Sequence, residues 1–298
     1  MSLSVEFCGK VFKNPIVTAS GTFGSGMEYS EFLDLNRLGG IITKGVSIVP
    51  WEGNNVPRVA ETPSGMLNAI GLQNPGAELF ASRDIPFLQQ YDTVKIVNLC
   101  GHTVDEYVAV TERLNDESVD MFELNISCPN VKEGGIGFGT DLAAASEVVS
   151  KVKSVCRKPL IVKLTPNVTD ICSIAKAVEA AGADAISLIN TVTGMKIDIE
   201  RRKPLLANVT GGLSGPAIHP IAVRMCYQVA KSVNIPIIGG GGVYDTESAI
   251  EMLLAGASLV SVGCATFGKP DVCLDIIDGI EEYMARHGFT NVSEITMS

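Results

Sequence analysis

Eight short apolar runs recur along the chain, each followed by a longer segment, and that alternation restricts the fold more than any other feature. The runs are 15–19, 40–44, 95–99, 121–126, 160–164, 185–190, 236–239 and 258–263. They are continuously apolar rather than alternating, the pattern of strands covered on both faces. Helical spacing marks the segments 75–90, 104–115, 141–155, 169–181, 217–232, 246–255 and 270–285. Cap residues stand where these helices should begin: Thr140 or Asp141, Thr169-Asp170 and Asp245-Thr246. An internal echo supports a repeat. Residues 181–187 resemble 255–261, and both read as a helix end, a glycine cap and entry into the next strand.

Strand–helix alternation repeated eight times predicts an α/β chain folded as a (β/α)₈ TIM barrel. An open doubly wound sheet is the alternative, but no G-x-G-x-x-G opens a helix after the first run. Residues 5–12 read as a small N-terminal β-hairpin with Cys8-Gly9 at its turn, able to plug the barrel bottom. The connection 45–73 is rich in Pro, Gly and Asn and too long for an idle loop. Long βα loops of this kind build sites at the C-terminal rim. The expectation is one barrel domain over residues 1–298.

Composition narrows the function classes. Hydrophobic residues make up 46% and charged residues 19%, enough for a large core. The 33 acidic against 23 basic residues give a net charge of −10, which repels phosphate backbones and argues against nucleic acid. No apolar run approaches the roughly 20 residues needed to span a bilayer, and no signal-peptide pattern is present. The expected location is cytoplasmic, with no membrane contact. The eight cysteines are scattered without a C-x-x-C pair, so reduced thiols are expected, and neither zinc nor an iron–sulfur cluster on this chain. With only three histidines, acid/base work can fall to another residue type.

The polar residues collect where the strands end. Ser20 with Gly21, Lys44 with Gly45, Asn98, Asn125 with Cys128, Lys163, Asn190 with Thr191, residues 239–242, and Gly263 with Cys264 all follow or close an apolar run. Any one reads as a turn residue. In a barrel all eight converge on one rim. Lys163, inside an apolar strand, needs an anionic partner. A barrel carboxylate would serve, but few acidic residues occupy the neighbouring strand ends. The four-glycine run 239–242, with Gly263, suits a phosphate held by backbone amides after the seventh and eighth strands; a flexible turn is the bland alternative. Residues 211–216 add another glycine-rich approach. The implied ligand is a phosphorylated cofactor such as FMN, or a sugar phosphate.

Cys128 is the candidate proton-transfer group. It sits in Asn125-Ile126-Ser127-Cys128-Pro129-Asn130, where a strand gives way to a glycine-rich loop. Two carboxamides flank the thiol, and Pro129 pushes it toward an extended conformation. A small buried hydrophobe is the alternative reading of a lone cysteine.

Taken with Ala19-Ser20-Gly21-Thr22-Phe23-Gly24, Thr43-Lys44-Gly45, Asn68-Ala69-Ile70-Gly71-Leu72-Gln73-Asn74 and Gly212-Leu213-Ser214-Gly215-Pro216, that segment resembles dihydroorotate dehydrogenase. The similarity is closest to the catalytic subunit of the class 1B, NAD-dependent enzymes, and its motifs run in order from residue 5 to about 270. The resemblance implies a barrel holding FMN at its C-terminal rim and oxidising (S)-dihydroorotate to orotate in de novo pyrimidine (UMP) biosynthesis. It makes Cys128 the base for the C5 proton while the C6 hydride leaves for the flavin. Substrate binding falls by the same resemblance to Lys44, Asn68, Ala69, Ile70, Gly71, Leu72, Asn125, Asn130, Asn190 and Thr191. Flavin binding falls to Ser20, Lys44, Gly45, Asn98, Asn125, Lys163, Ile189, Gly215, Gly241, Gly242, Gly263 and Cys264. Gly240 and Cys264 stand where bulkier or hydroxylated residues are common.

The residue types suit that chemistry. A carbon acid beside a carbonyl needs a base with a pKa near neutrality, which a thiol near cations can supply. Carboxamides match an imide ring with alternating donors and acceptors. Class 1B further implies a homodimer core bound to a second subunit carrying FAD and a [2Fe–2S] cluster, a heterotetramer passing electrons to NAD⁺. The membrane-bound class is distinguished by an N-terminal hydrophobic extension and a serine base. A class 1A homodimer using fumarate, a flavin-free phosphate-binding isomerase or lyase working through Lys163, a flavin barrel that reduces RNA, and a subunit kept mainly for docking are the competing readings.

Overall fold

All eight predicted strands form, and they close on one another. The computed structural model describes residues 1–127 and 137–297. The barrel strands are β1 (Ile16–Thr18), β2 (Gly40–Ile42), β3 (Val94–Leu99), β4 (Met121–Asn125), β5 (Leu160–Lys163), β6 (Ala185–Leu188), β7 (Ile237–Gly240) and β8 (Leu259–Val262). They pair in parallel in chain order, and β8 returns to β1. Helices α1 (77–88), α2 (Val104–Leu114), α3 (Leu142–Val155), α4 (Ile171–Ala180), α5 (His219–Ala230), α6 (Thr246–Leu254) and α7 (Val272–His287) follow β2 to β8 in turn. Between β1 and β2 the chain makes two single 3₁₀ turns, Tyr29–Glu31 and Leu35–Arg37, in place of a helix.

The caps read from sequence are in place. Asp141 accepts from the Ala144 amide, Asp170 from those of Cys172 and Ser173, and Asp245 forms a capping box with Ser248. The echo at 182 and 256 is also structural: Gly182 and Gly256 follow helix ends with φ of +103° and +102°, a conformation that needs glycine.

The barrel interior is layered. Val17, Ile42, Ile96, Met121, Ile161, Ala185, Ile238 and Leu259, one from each strand, form a closed apolar layer with Phe7 and Phe12. Those two phenylalanines come from the N-terminal hairpin, strands Val5–Phe7 and Lys10–Phe12, whose turn has Cys8 and Gly9 at positive φ. Their rings meet edge to face at 5.9 Å and seal the floor. Side chains in a strand return to the same face every second residue. Two residues beyond the floor, the inward positions are therefore Ala19, Lys44, Asn98, Glu123, Lys163, Ser187, Gly240 and Ser261. An apolar floor thus gives way to a polar layer directly beneath the rim.

A second sheet, which the periodicity of the sequence did not announce, stands over that rim. Val59–Thr62 and Gly65–Asn68 from the long connection after β2 pair antiparallel, and Thr210–Ser214 and Val192–Met195 from the connection after β6 extend them. The expected long loop at 45–73 is therefore a hairpin tied across the barrel mouth. No helix among the described residues is long and apolar enough to cross a membrane.

Candidate active site

The polar layer is held together by one carboxylate. Glu123 is 1% exposed; its Oε1 accepts from Asn98 Nδ2 at 2.6 Å and its Oε2 from Ser187 Oγ at 2.7 Å. Lys163 Nζ lies 3.8 Å from Oε1 and donates to Ser20 Oγ at 3.1 Å. The scarcity of acids at strand ends argued against a barrel carboxylate for Lys163. That argument fails because Glu123 lies inside β4 rather than at its end. A lone acid among Met121, Phe122 and Leu124 was the available signal, and the apolar run hid it.

Asn98 is fully buried, and its Oδ1 has no hydrogen-bond partner among the described residues. The atom lies beside Gly45, where a Cβ would come within 3.0 Å of it. Gly45 itself is fixed because the adjacent Val46 exchanges backbone hydrogen bonds with the end of β3: Val46 N to Asn98 O at 2.8 Å and Cys100 N to Val46 O at 3.0 Å. Lys44, half-buried, has its ammonium held below the usual lysine range, first by burial and then by the Arg58 guanidinium, with Glu28 opposing.

The 68–72 segment comes down beside the neighbouring Gly45. Leu72 approaches the open face of Gly45, and Asn68 Nδ2 reaches the Gly212 carbonyl at 3.4 Å. Ala69 and Ile70 are held through their backbones by Arg58 and Asn54. Gly71 is the tight point, with φ of +76° and the Asn54 backbone nitrogen 2.6 Å from where a Cβ would stand. Thr191 packs against Gly212, where any Cβ would collide with its Oγ1, and Asn190 Oδ1 accepts from the Thr191 amide at 2.8 Å. Asn125 ends β4; its carbonyl accepts from the buried Tyr107 hydroxyl at 2.5 Å and its Oδ1 from the Ser127 amide at 3.2 Å. Cys128 and Asn130 lie outside the described residues.

At the ends of β7 and β8 the glycines form an arc. A Cβ on Gly242 would sit 2.5 Å from the Gly215 carbonyl, and one on Gly241 would sit 2.9 Å from Ile189. Gly263 lies against Ala19, and the Cys264 thiol hydrogen-bonds the Ser214 side chain. Burial raises the Cys264 pKa above its ordinary value of 9.0. Behind the arc, His219 Nδ1 contacts the Gly241 carbonyl at 2.9 Å and Nε2 the Glu251 carboxylate at 3.1 Å. A cavity of about 830 Å³ opens beside it, lined by Met66, Gly215, Val243, Tyr244, Cys264 and Lys269 among others.

The rim therefore offers two ammonium groups, a buried acceptor and close-packed glycine backbone. That defines an enzyme-type barrel built for an anionic, polar-edged ligand. The family model for dihydroorotate dehydrogenase matches residues 2–284. The catalytic subunit of dihydroorotate dehydrogenase B (NAD(+)) from Lachnoclostridium phytofermentans is 59% identical over 295 residues, 99% of this chain and 98% of its own length. The same subunit from Alkaliphilus oremlandii is 59% identical over 99% of this chain and 97% of its own length. That from Bacteroides fragilis is 53% identical over 98% of this chain and 97% of its own length. The chain belongs to the dihydroorotate dehydrogenase family.

Proposed function

We propose that this chain, an oxidoreductase by family, converts (S)-dihydroorotate to orotate in pyrimidine biosynthesis with FMN seated between the cations and the glycine arc. The observation that carries the reading is the buried Oδ1 of Asn98 beside Gly45, which has no donor among the described residues and faces no side chain at 45. A buried acceptor without a donor is costly unless a ligand supplies one. The ring N–H of a flavin is a donor of the right kind. The glycine arc suits the phosphate end, because amides can approach where a Cβ cannot.

When bound, the flavin supplies the hydride acceptor. The protein supplies the rest. Lys163, next to Ser20, stabilises negative charge at the polar edge of the ring system. Lys44 attracts the substrate carboxylate and the flavin together. Asn68, Asn125, Asn130 and Asn190 offer donors and acceptors to the pyrimidine edge, with Thr191 beside them. The peptide segment 69–72 closes the pocket from above.

Cys128 is the base for the C5 proton. Three described thiols are poor alternatives: burial raises Cys8 to about 11 and both Cys226 and Cys273 to about 12, so they keep their protons at neutral pH. Cys128→Ala should stay yellow and lose most turnover at neutral pH. Equal rates for variant and wild type overturn the base assignment, and a colourless wild type overturns the flavin.

The relatives are named as catalytic subunits of NAD(+) enzymes, which supports a second, electron-transfer subunit here. FAD and a [2Fe–2S] cluster on that subunit, around a homodimer of this chain, complete the proposal. Co-purification from the native source tests it, together with turnover of the isolated chain on an artificial acceptor.

A further inference from the structure

Glu123 brings together side chains from four consecutive strands. Asn98 on β3 lies opposite it in the ladder, Ser187 on β6 reaches its other oxygen, and Lys163 on β5 stands beside the first. A buried carboxylate is costly to keep unless its oxygens are satisfied. Here each oxygen accepts one short hydrogen bond, and an ammonium that is only 11% exposed provides the counter-charge.

Two consequences follow for the groups around it. A carboxylate oxygen accepts, so the Asn98 amide must give it the Nδ2 side. That fixes the flip of Asn98 and directs Oδ1, the unpartnered atom, toward Gly45. Lys163 is likewise tethered between Glu123 and Ser20, so its charge is partly balanced from below.

We propose that Glu123 is a positioning residue that sets the polarity of the cofactor bed. It makes Asn98 present an acceptor and tempers the positive field of Lys163. The inference rests on FMN occupying that bed. No resemblance or motif singled this residue out.

The test is the midpoint potential of the bound flavin, measured by spectroelectrochemistry on holoprotein, beside its visible spectrum and the dissociation constant for FMN. In Glu123→Gln the charge goes and the shape stays. Lys163 is left unbalanced, the reduced flavin is favoured over the oxidised one by tenfold or more, and the potential rises by about 30 mV per factor of ten. The reoriented amide also weakens FMN binding several-fold, because Asn98 is free to flip. Should that variant fail to fold, Ser187→Ala keeps the charge and removes a donor to it, so the potential falls instead. Flavin-loaded Glu123→Gln with wild-type potential and spectrum overturns the proposal, as does an unchanged or raised potential in Ser187→Ala. A wild-type protein that takes up no FMN fails the functional reading itself, which is a distinct result.

Discussion

Gly242 and Gly215 meet so closely that a Cβ on the first would lie 2.5 Å from the carbonyl oxygen of the second. Gly242 also sits at φ of +70°, where an L side chain is strained. The contact joins the loop after β7 to the approach before α5, and no flexible side chain is available to yield. Gly242→Ala should therefore cost about 1–3 kcal/mol of stability through backbone strain alone. It should also lower FMN retention at least tenfold, because the arc must open. Thermal melting with flavin quantified in the purified protein checks both; a variant that melts and binds FMN like wild type rules out the arc as the phosphate seat.

At the opposite end, stability and function separate. Phe12 is fully buried against Phe7 and the floor layer. Phe12→Ala should destabilise the protein by about 3–5 kcal/mol. The folded fraction should still bind FMN with wild-type affinity, since the floor lies below the polar layer. Denaturant melts with flavin titration at low temperature would show it, and a parallel loss of affinity would mean the floor shapes the rim.

Lys44 gives a pH signature. Its folded-state pKa lies below 10.5, chiefly through burial, so the unfolded chain holds that proton more tightly than the native one. Stability of the ligand-free protein attributable to Lys44 is then least below the lowered value and recovers as pH rises toward 10.5. Lys44→Met should be the more stable apoprotein at neutral pH, its advantage shrinking as pH climbs through that window. Orotate affinity should behave oppositely, falling in the wild type over the same window and showing no such fall in the variant. Paired thermal melts and titrations across pH decide it; an advantage that does not shrink removes the desolvated ammonium.

The strands were legible because β5, β6 and β8 are mostly β-branched and aliphatic residues, largely buried, with one polar residue each. The caps at Asp141, Asp170 and Asp245 could be read because a single side chain satisfies the helix start. The rim sheet was not legible. Its strands Gly65–Asn68 and Thr210–Ser214 are short and glycine-bearing, and pairing across nearly 150 residues leaves no local trace. The candidate residues 20, 44, 98, 163 and 242 were found through their position at strand ends. Glu123 was missed because it belongs to the layer below, where only the two-residue period counted from the floor reveals which side chains face inward.

Cys264 offers the last test, since its thiol stands at the glycine arc beside Ser214. Burial is the largest influence on it and raises its pKa above 9.0, with the Ser214 hydrogen bond opposing, so at neutral pH it is a weak neutral donor. A hydroxyl of nearly the same shape donates better. Cys264→Ser should therefore bind FMN more tightly by up to about 1 kcal/mol, roughly fivefold, the net value of one hydrogen bond. Turnover and its acid pH limb should be unchanged, because the proposed proton-accepting thiol is Cys128. Flavin dissociation constants and a pH–rate profile separate the outcomes: weaker FMN binding in the serine variant places the phosphate away from residue 264, and a lost or displaced pH limb makes Cys264, not Cys128, the titrating sulfur.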